Sequence, residues 1–140
     1  MPAHRSNRRR AAHYRRPGTA LKMAYKTIIY ETGDRVAIIT LNRPEKLNAL
    51  SPQLTDELYK ALSAADKDDS VRVIIITGGD AVFAAGADLG AMDAAAPDVV
   101  QAFKMRFATE NPNDYIEKIG KPVIAAMAGY ALGGGLELAM

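Results

Sequence analysis

The chain has 140 residues, 49% hydrophobic and 24% charged, which is the length and composition of one soluble globular domain. It contains no Cys, which excludes disulfides, thiolate metal sites and a Cys nucleophile, and its two His, His4 and His13, lie at the extreme N-terminus, which leaves no His-based triad or His-rich metal site in the folded part. The net charge of +2 divides into a +7 segment at 1–22 (Arg5, Arg8, Arg9, Arg10, Arg15, Arg16 and Lys22, with no acid) and a remainder of −5, so the basic balance belongs to the N-terminus and the domain itself is mildly acidic.

Residues 1–22 have no apolar periodicity and are expected to form a disordered basic tail, with the domain running over 23–140. An Arg-rich, acid-free start is compatible with an upstream extension before Met23, a mitochondrial transit peptide or a nucleic-acid-binding arm; it lacks the apolar region of a secretory signal. No apolar stretch approaches the ~18 to 20 residues of a membrane span.

Residues 25–31 and 35–41 are β-rich and separated by Thr32-Gly33-Asp34, a hairpin signal with Gly in the turn. Asn42-Arg43-Pro44-Glu45 ends the second strand. Ser51-Pro52 reads as an N-cap followed by Pro at the first helical position, and Leu54, Leu58, Ala61, Leu62 and Ala65 recur on one helical face. VRVIIIT at 71–77 is a β-branched run suited to a strand buried on both faces. Helices are expected over 97–108 and 113–119, broken at Asn111-Pro112, before a second buried strand at 123–127 and the start of a helix at 136–140. The chain stops about one turn into that helix, barely past a helical nucleus, and is expected to be a fragment. The alternation of strands and helices predicts an α/β fold with parallel strands.

Two glycine-rich segments follow predicted strands. In FAAGADL (83–89) small residues leave the backbone bare, able to present N–H groups to a ligand, or simply to pack as a tight loop with Asp88 as an N-cap. In GYALGGGLE (129–137) three successive Gly open a helix, where positive φ and unsatisfied N–H groups suit an oxyanion or phosphate. Neither segment fits the G-x-x-x-x-G-K-[ST] or G-x-G-x-x-G nucleotide patterns. Glu137, in the first turn of that helix, reads either as a partner of the helix dipole or as a general acid/base held beside bare donors.

LNRPEKLNAL (41–50), TGGDAVFAAGADL (77–89) and KPVIAAMAGYALGGGLELAM (121–140) together resemble the crotonase, or enoyl-CoA hydratase/isomerase, superfamily, and the likeness spans 25–140. The resemblance implies a superhelix of strand–strand–helix turns, here truncated before its later turns and the C-terminal helices that form trimers or hexamers. It implies an acyl-CoA substrate whose thioester oxygen meets the N–H groups of Ala87 and Gly134, with Lys46, Ala85, Asp88 and Leu89 also toward the CoA. Glu137 matches the first of two glutamates that act on water in hydratases; the second is expected some twenty residues beyond Met140. The implied function is hydration of a 2-enoyl-CoA, with an isomerase, another lyase branch, or an inactive or RNA-binding member as alternatives. No cofactor beyond the CoA carried by the substrate, no metal and no membrane are implied; the expected compartment is the cytoplasm, or the mitochondrial matrix if the tail is a transit peptide.

Overall fold

The computed structural model describes residues 25–140, so the expected basic tail lies outside the described residues. Strands β1 (Ile28–Gly33) and β2 (Val36–Leu41) pair antiparallel with Gly33 opposite Val36. The hairpin therefore turns on Asp34 and Arg35 alone, both left-handed, at φ 49° and 67°. This corrects the expectation of Gly33 in the turn: a two-residue loop that matches the twist of its strands needs positive φ at both central residues, and Gly33 closes the strand instead.

Helix α1 (Pro52–Lys67) begins as its cap signal predicts, with the Ser51 Oγ accepting from the Leu54 N–H at 3.2 Å and Pro52 at the first position. Leu54, Leu58, Ala61, Leu62 and Ala65 are all buried. They pack on Ile28, Ala37, Ile39, Ile74 and Ile76 from one face of a four-stranded sheet. The sheet order is β1-β2-β3-β5, with β3 (Val73–Thr77) and β5 (Val123–Ala126) parallel to β2. The α/β fold with parallel strands is thus as the pattern predicts.

The two apolar runs are not buried on both faces. In β3, Ile74 and Ile76 face α1 while Val73, Ile75 and Thr77 stay partly open, and in β5 Ile124 is 50% exposed. A β-branched run carries no mark of which face is covered, and here a helix covers only one.

A second sheet holds just two short parallel strands, β4 (Val82–Ala84) and β6 (Tyr130–Ala131). The rest of the chain supplies α2 (Leu89–Asp93), α3 (Pro97–Phe107), α4 (Pro112–Ile116) and α5 (Gly134–Ala139). The break at Asn111-Pro112 is found, with the Asn111 side chain accepting from the Asn113 N–H at 3.0 Å. Helix α4 rests on α1 through the Tyr59 and Tyr115 rings, 5.0 Å apart, and a Tyr115 hydroxyl bond to Asp66. Lys121 then ties the approach to β5 back to α1, its Nζ donating to the carbonyls of Ala65 and Asp68 at 2.8 and 2.7 Å.

Candidate functional site

Parallel strands end on the same side, so pairing β4 with β6 brings the two glycine-rich segments together at their carboxyl ends. The Leu132 N–H extends the pairing by donating to the Ala84 carbonyl at 3.0 Å. Beyond it the chain turns through Gly133, at φ 48°, into α5, while the β4 side turns through Gly86, at φ 107°. Helix α5 sits directly on β4: a Cβ at Gly135 would lie 2.3 Å from the Ala84 carbonyl oxygen.

A third segment fixes the first loop. Leu50 pairs with Ala87 as an isolated parallel bridge, its N–H donating to Gly86 at 2.7 Å and its carbonyl accepting from Asp88 at 3.1 Å. In a parallel bridge the opposed residue keeps its own N–H on the far side. The Ala87 N–H accordingly meets no acceptor among the described residues, and neither does that of Gly134 at the start of α5. The two are neighbours, since a Cβ at Gly134 would lie 4.0 Å from the Ala87 nitrogen.

Both residues line an open cavity of about 190 Å³. Glu137, one turn into α5, lines it too and is the only carboxylate among its described walls. Leu50, Leu58, Leu138, Phe103 and Phe107 make most of the remainder apolar. The arrangement is an apolar slot whose described walls carry two free N–H donors and one carboxylate. It suits a ligand with an apolar tail and an oxygen that accepts hydrogen bonds.

The other sequence-singled residues lie around the first loop rather than in this cavity. Ala85 is half-buried and its N–H donates to the Leu47 carbonyl at 3.0 Å. Lys46 is exposed on a single 3-10 turn over Pro44–Lys46, and Leu89 is 69% exposed at the start of α2. The Asp88 carboxylate is occupied: it accepts from the Ala91 N–H at 3.0 Å, capping α2, and pairs with Arg43 at 2.8 Å. The Ala91 N–H first, and then Arg43, hold its carboxyl below the usual carboxylate range.

Two supporting residues inside the 41–50 motif escape a reading by residue chemistry. Arg43 links Asp88 to the Ala49 carbonyl, at 2.7 Å, and so joins the loop before α1 to the loop after β4. Asn48 is fully buried at φ 53°; it accepts from the Arg43 N–H and donates to the carbonyls of Gly78, Val82 and Phe83. The available signal was Asn itself, the non-glycine residue that most readily takes left-handed backbone. The aromatic wall from α3 was legible only as a helix, because Phe103 and Phe107 show no pattern that says what they face.

The model of a family described as "Enoyl-CoA hydratase/isomerase" matches residues 31–140. The chain is 47% identical over 105 residues to a protein of Pongo abelii named "Enoyl-CoA hydratase, mitochondrial", covering 75% of this chain and 35% of that one. It is 41% identical over 119 residues to the "Crotonyl-CoA hydratase" of Syntrophomonas wolfei, covering 84% and 45%. A crystal structure of an enoyl-CoA hydratase/isomerase from Xanthobacter autotrophicus superposes with a TM-score of 0.71 at 38% identity, over 82% of this chain and 43% of that one. The chain thus spans less than half the length of these relatives.

Proposed function

Because the chain belongs to the enoyl-CoA hydratase/isomerase family, we propose that it supplies the thioester-oxygen site and one catalytic carboxylate of an enoyl-CoA hydratase. The observation that carries this reading is the pair of N–H groups without acceptors among the described residues, at Ala87 and Gly134, lining the same apolar cavity as Glu137. In the hydration, Glu137 takes a proton from water as the water oxygen bonds to C3. The π electrons move through C2 and the carbonyl carbon onto the thioester oxygen, where both N–H groups meet the developing charge. The enolate then takes a proton at C2 from the second glutamate that the family resemblance implies; that glutamate regains a proton as Glu137 gives up its own, and the net change is one added water. A donor placed for such an oxyanion is worth about 3 to 4 kcal/mol of barrier in a measured protease case.

The acyl group arrives on CoA and the reaction is redox-neutral, so this chemistry calls for no separate cofactor or metal. The CoA lies along the 85–89 loop, with the exposed Lys46 ammonium within the same surface to meet a phosphate and Leu89 to cover an apolar part of the cofactor. Asp88 acts through Arg43 and α2 by holding that loop in shape. Trimers or hexamers are the proposed assembly. The proposed compartment is the cytoplasm, or the mitochondrial matrix if the Arg-rich segment at 1–22 is a transit peptide; among the described residues no helix is long and apolar enough to cross a membrane.

The competing reading is an isomerase, in which one carboxylate, here Glu137, carries a proton between C2 and C4. Glu137→Gln in the full-length protein tests the role of the group. It should lower kcat on a 2-enoyl-CoA by about two to four orders of magnitude while leaving the binding of a saturated acyl-CoA nearly unchanged. A near-normal kcat would remove Glu137 from the chemistry. Turnover of a 3-enoyl-CoA in preference to the 2-enoyl ester would establish the isomerase.

A further inference from the structure

The turn from β3 into β4 doubles back so tightly that a Cβ at Gly78 would lie 2.1 Å from the Val82 carbonyl oxygen and 2.3 Å from that of Phe83. Carbonyl oxygens gathered this closely need a donor between them, because a buried acceptor without one keeps its full desolvation cost. Asn48 supplies that donor from another loop. Its Nδ2 donates to the carbonyls of Gly78, Val82 and Phe83 at 3.1, 3.1 and 3.2 Å, while its Oδ1 accepts from the Arg43 N–H at 2.9 Å. The chain reaches this place through two consecutive left-handed residues, Leu47 at φ 51° and Asn48 at φ 53°.

The main chain on either side of Asn48 forms a splint along the first glycine-rich loop. The Leu47 carbonyl accepts from the Ala85 N–H at 3.0 Å, the Leu50 N–H donates to the Gly86 carbonyl at 2.7 Å, and the Leu50 carbonyl accepts from the Asp88 N–H at 3.1 Å. These bonds bracket Ala87, whose own N–H meets no acceptor among the described residues. The direction of that N–H is therefore set by its neighbours, and theirs by the splint. Gly134 is placed differently, by the close seat of α5 on β4 at Gly135.

We propose that Asn48 is a positioning residue of the site: by filling the β3–β4 turn it fixes the 47–50 splint and, through it, the aim of the Ala87 N–H. The inference rests on the thioester-oxygen reading above and adds a side chain that is not among the described walls of the cavity.

Asn48→Asp keeps the size of the side chain and an acceptor for the Arg43 N–H, but it turns an oxygen toward three carbonyl oxygens. Asn48→Gly keeps the left-handed backbone and removes the side chain, and it decides the matter if the Asp variant fails to fold. The test is calorimetric titration of the full chain with butyryl-CoA and with the thioether S-butyl-CoA, accompanied by amide NMR shifts. The unaltered protein should bind the thioester about tenfold more tightly, the effect of two net hydrogen bonds of ordinary strength. In the Asn48 variants the preference should fall to about threefold, and the thioester-specific amide shift should vanish at Ala87 and remain at Gly134. Glu57→Gln, which weakens the fold at the start of β1 and not at this loop, should keep the full preference and both shifts. Asn48 variants that retain the preference and the Ala87 shift, or that lose the Ala87 and Gly134 shifts alike, would overturn the inference and leave the thioester reading standing. Equal affinity of the unaltered protein for the two ligands would overturn that reading and this inference together.

Discussion

At the residue scale, the groups that shape the site are mostly main-chain atoms, and the side chains around them serve to place them. Ala87 and Gly134 carry no functional side chain; what distinguishes them is an N–H that meets no acceptor among the described residues. Side-chain chemistry is concentrated beneath the site, where Asn48 and Arg43 satisfy loop carbonyls, and at the start of β1, where Glu57 does the same for N–H groups. The Glu57 carboxylate is buried and accepts from the Thr27 N–H and hydroxyl at 2.8 and 2.7 Å, from the Lys26 N–H, and from Gln53 at 3.0 Å. Burial pushes its pKa up, but the bonds from Thr27, Gln53 and Lys26 outweigh burial and hold it below the ordinary 4.5. In the unfolded chain the same carboxyl takes up its proton at the ordinary value. Its stabilisation is therefore complete above that value and is lost as pH falls through the lower, folded-state pKa. Urea unfolding followed from neutral pH to about pH 3 should show Glu57→Gln losing less stability on acidification than the unaltered protein, with Glu57→Ala costing about 3 kcal/mol at neutral pH. Parallel acid slopes for the Glu57→Gln variant and the unaltered protein would remove Glu57 as the source.

At the element scale, the site depends on how closely α5 approaches β4. Gly135 allows that approach, since any Cβ there would meet the Ala84 carbonyl oxygen. Gly135→Ala must lift α5 away, at a cost of about 2 kcal/mol, and shift Gly134 relative to Ala87. Thermal unfolding with acyl-CoA titration should show both a lower Tm and a loss of ester binding; a variant that binds normally would mean the register of α5 does not matter. This dependence also explains what was legible from sequence. The α1 helix carried an explicit cap, a Pro at its first position and a continuous apolar face, and it lies where those signals put it. The triple glycine marked a bare helix start for the same local reason. Strands β4 and β6, of three and two residues, are too short to carry any alternation, and their pairing is a property of the tertiary fold. The cap role of Asp88 was legible, whereas Arg43 as its partner was not, because an ion pair between separate loops leaves no spacing to read.

At the scale of the whole molecule, one sheet supplies the framework and a second, minimal one supplies the site. The four-stranded sheet and α1 make the core, and the half-open face of β3 and β5 shows that an apolar strand run reports β-propensity without reporting coverage. The parallel pairing of β4 with β6, braced by Leu50, brings together two loops far apart in the chain, which is why two motifs that looked separately ambiguous converge on one cavity. The central claim is that the N–H groups of Ala87 and Gly134 receive the thioester oxygen. It is tested most directly by amide proton and nitrogen NMR shifts of the chain titrated with butyryl-CoA and, separately, with S-butyl-CoA, a thioether identical but for the missing carbonyl oxygen. The account predicts that the amide protons of Ala87 and Gly134 move downfield with the thioester and not with the thioether, while cavity residues such as Leu138 respond to both. Equal responses of Ala87 and Gly134 to the two ligands would contradict it.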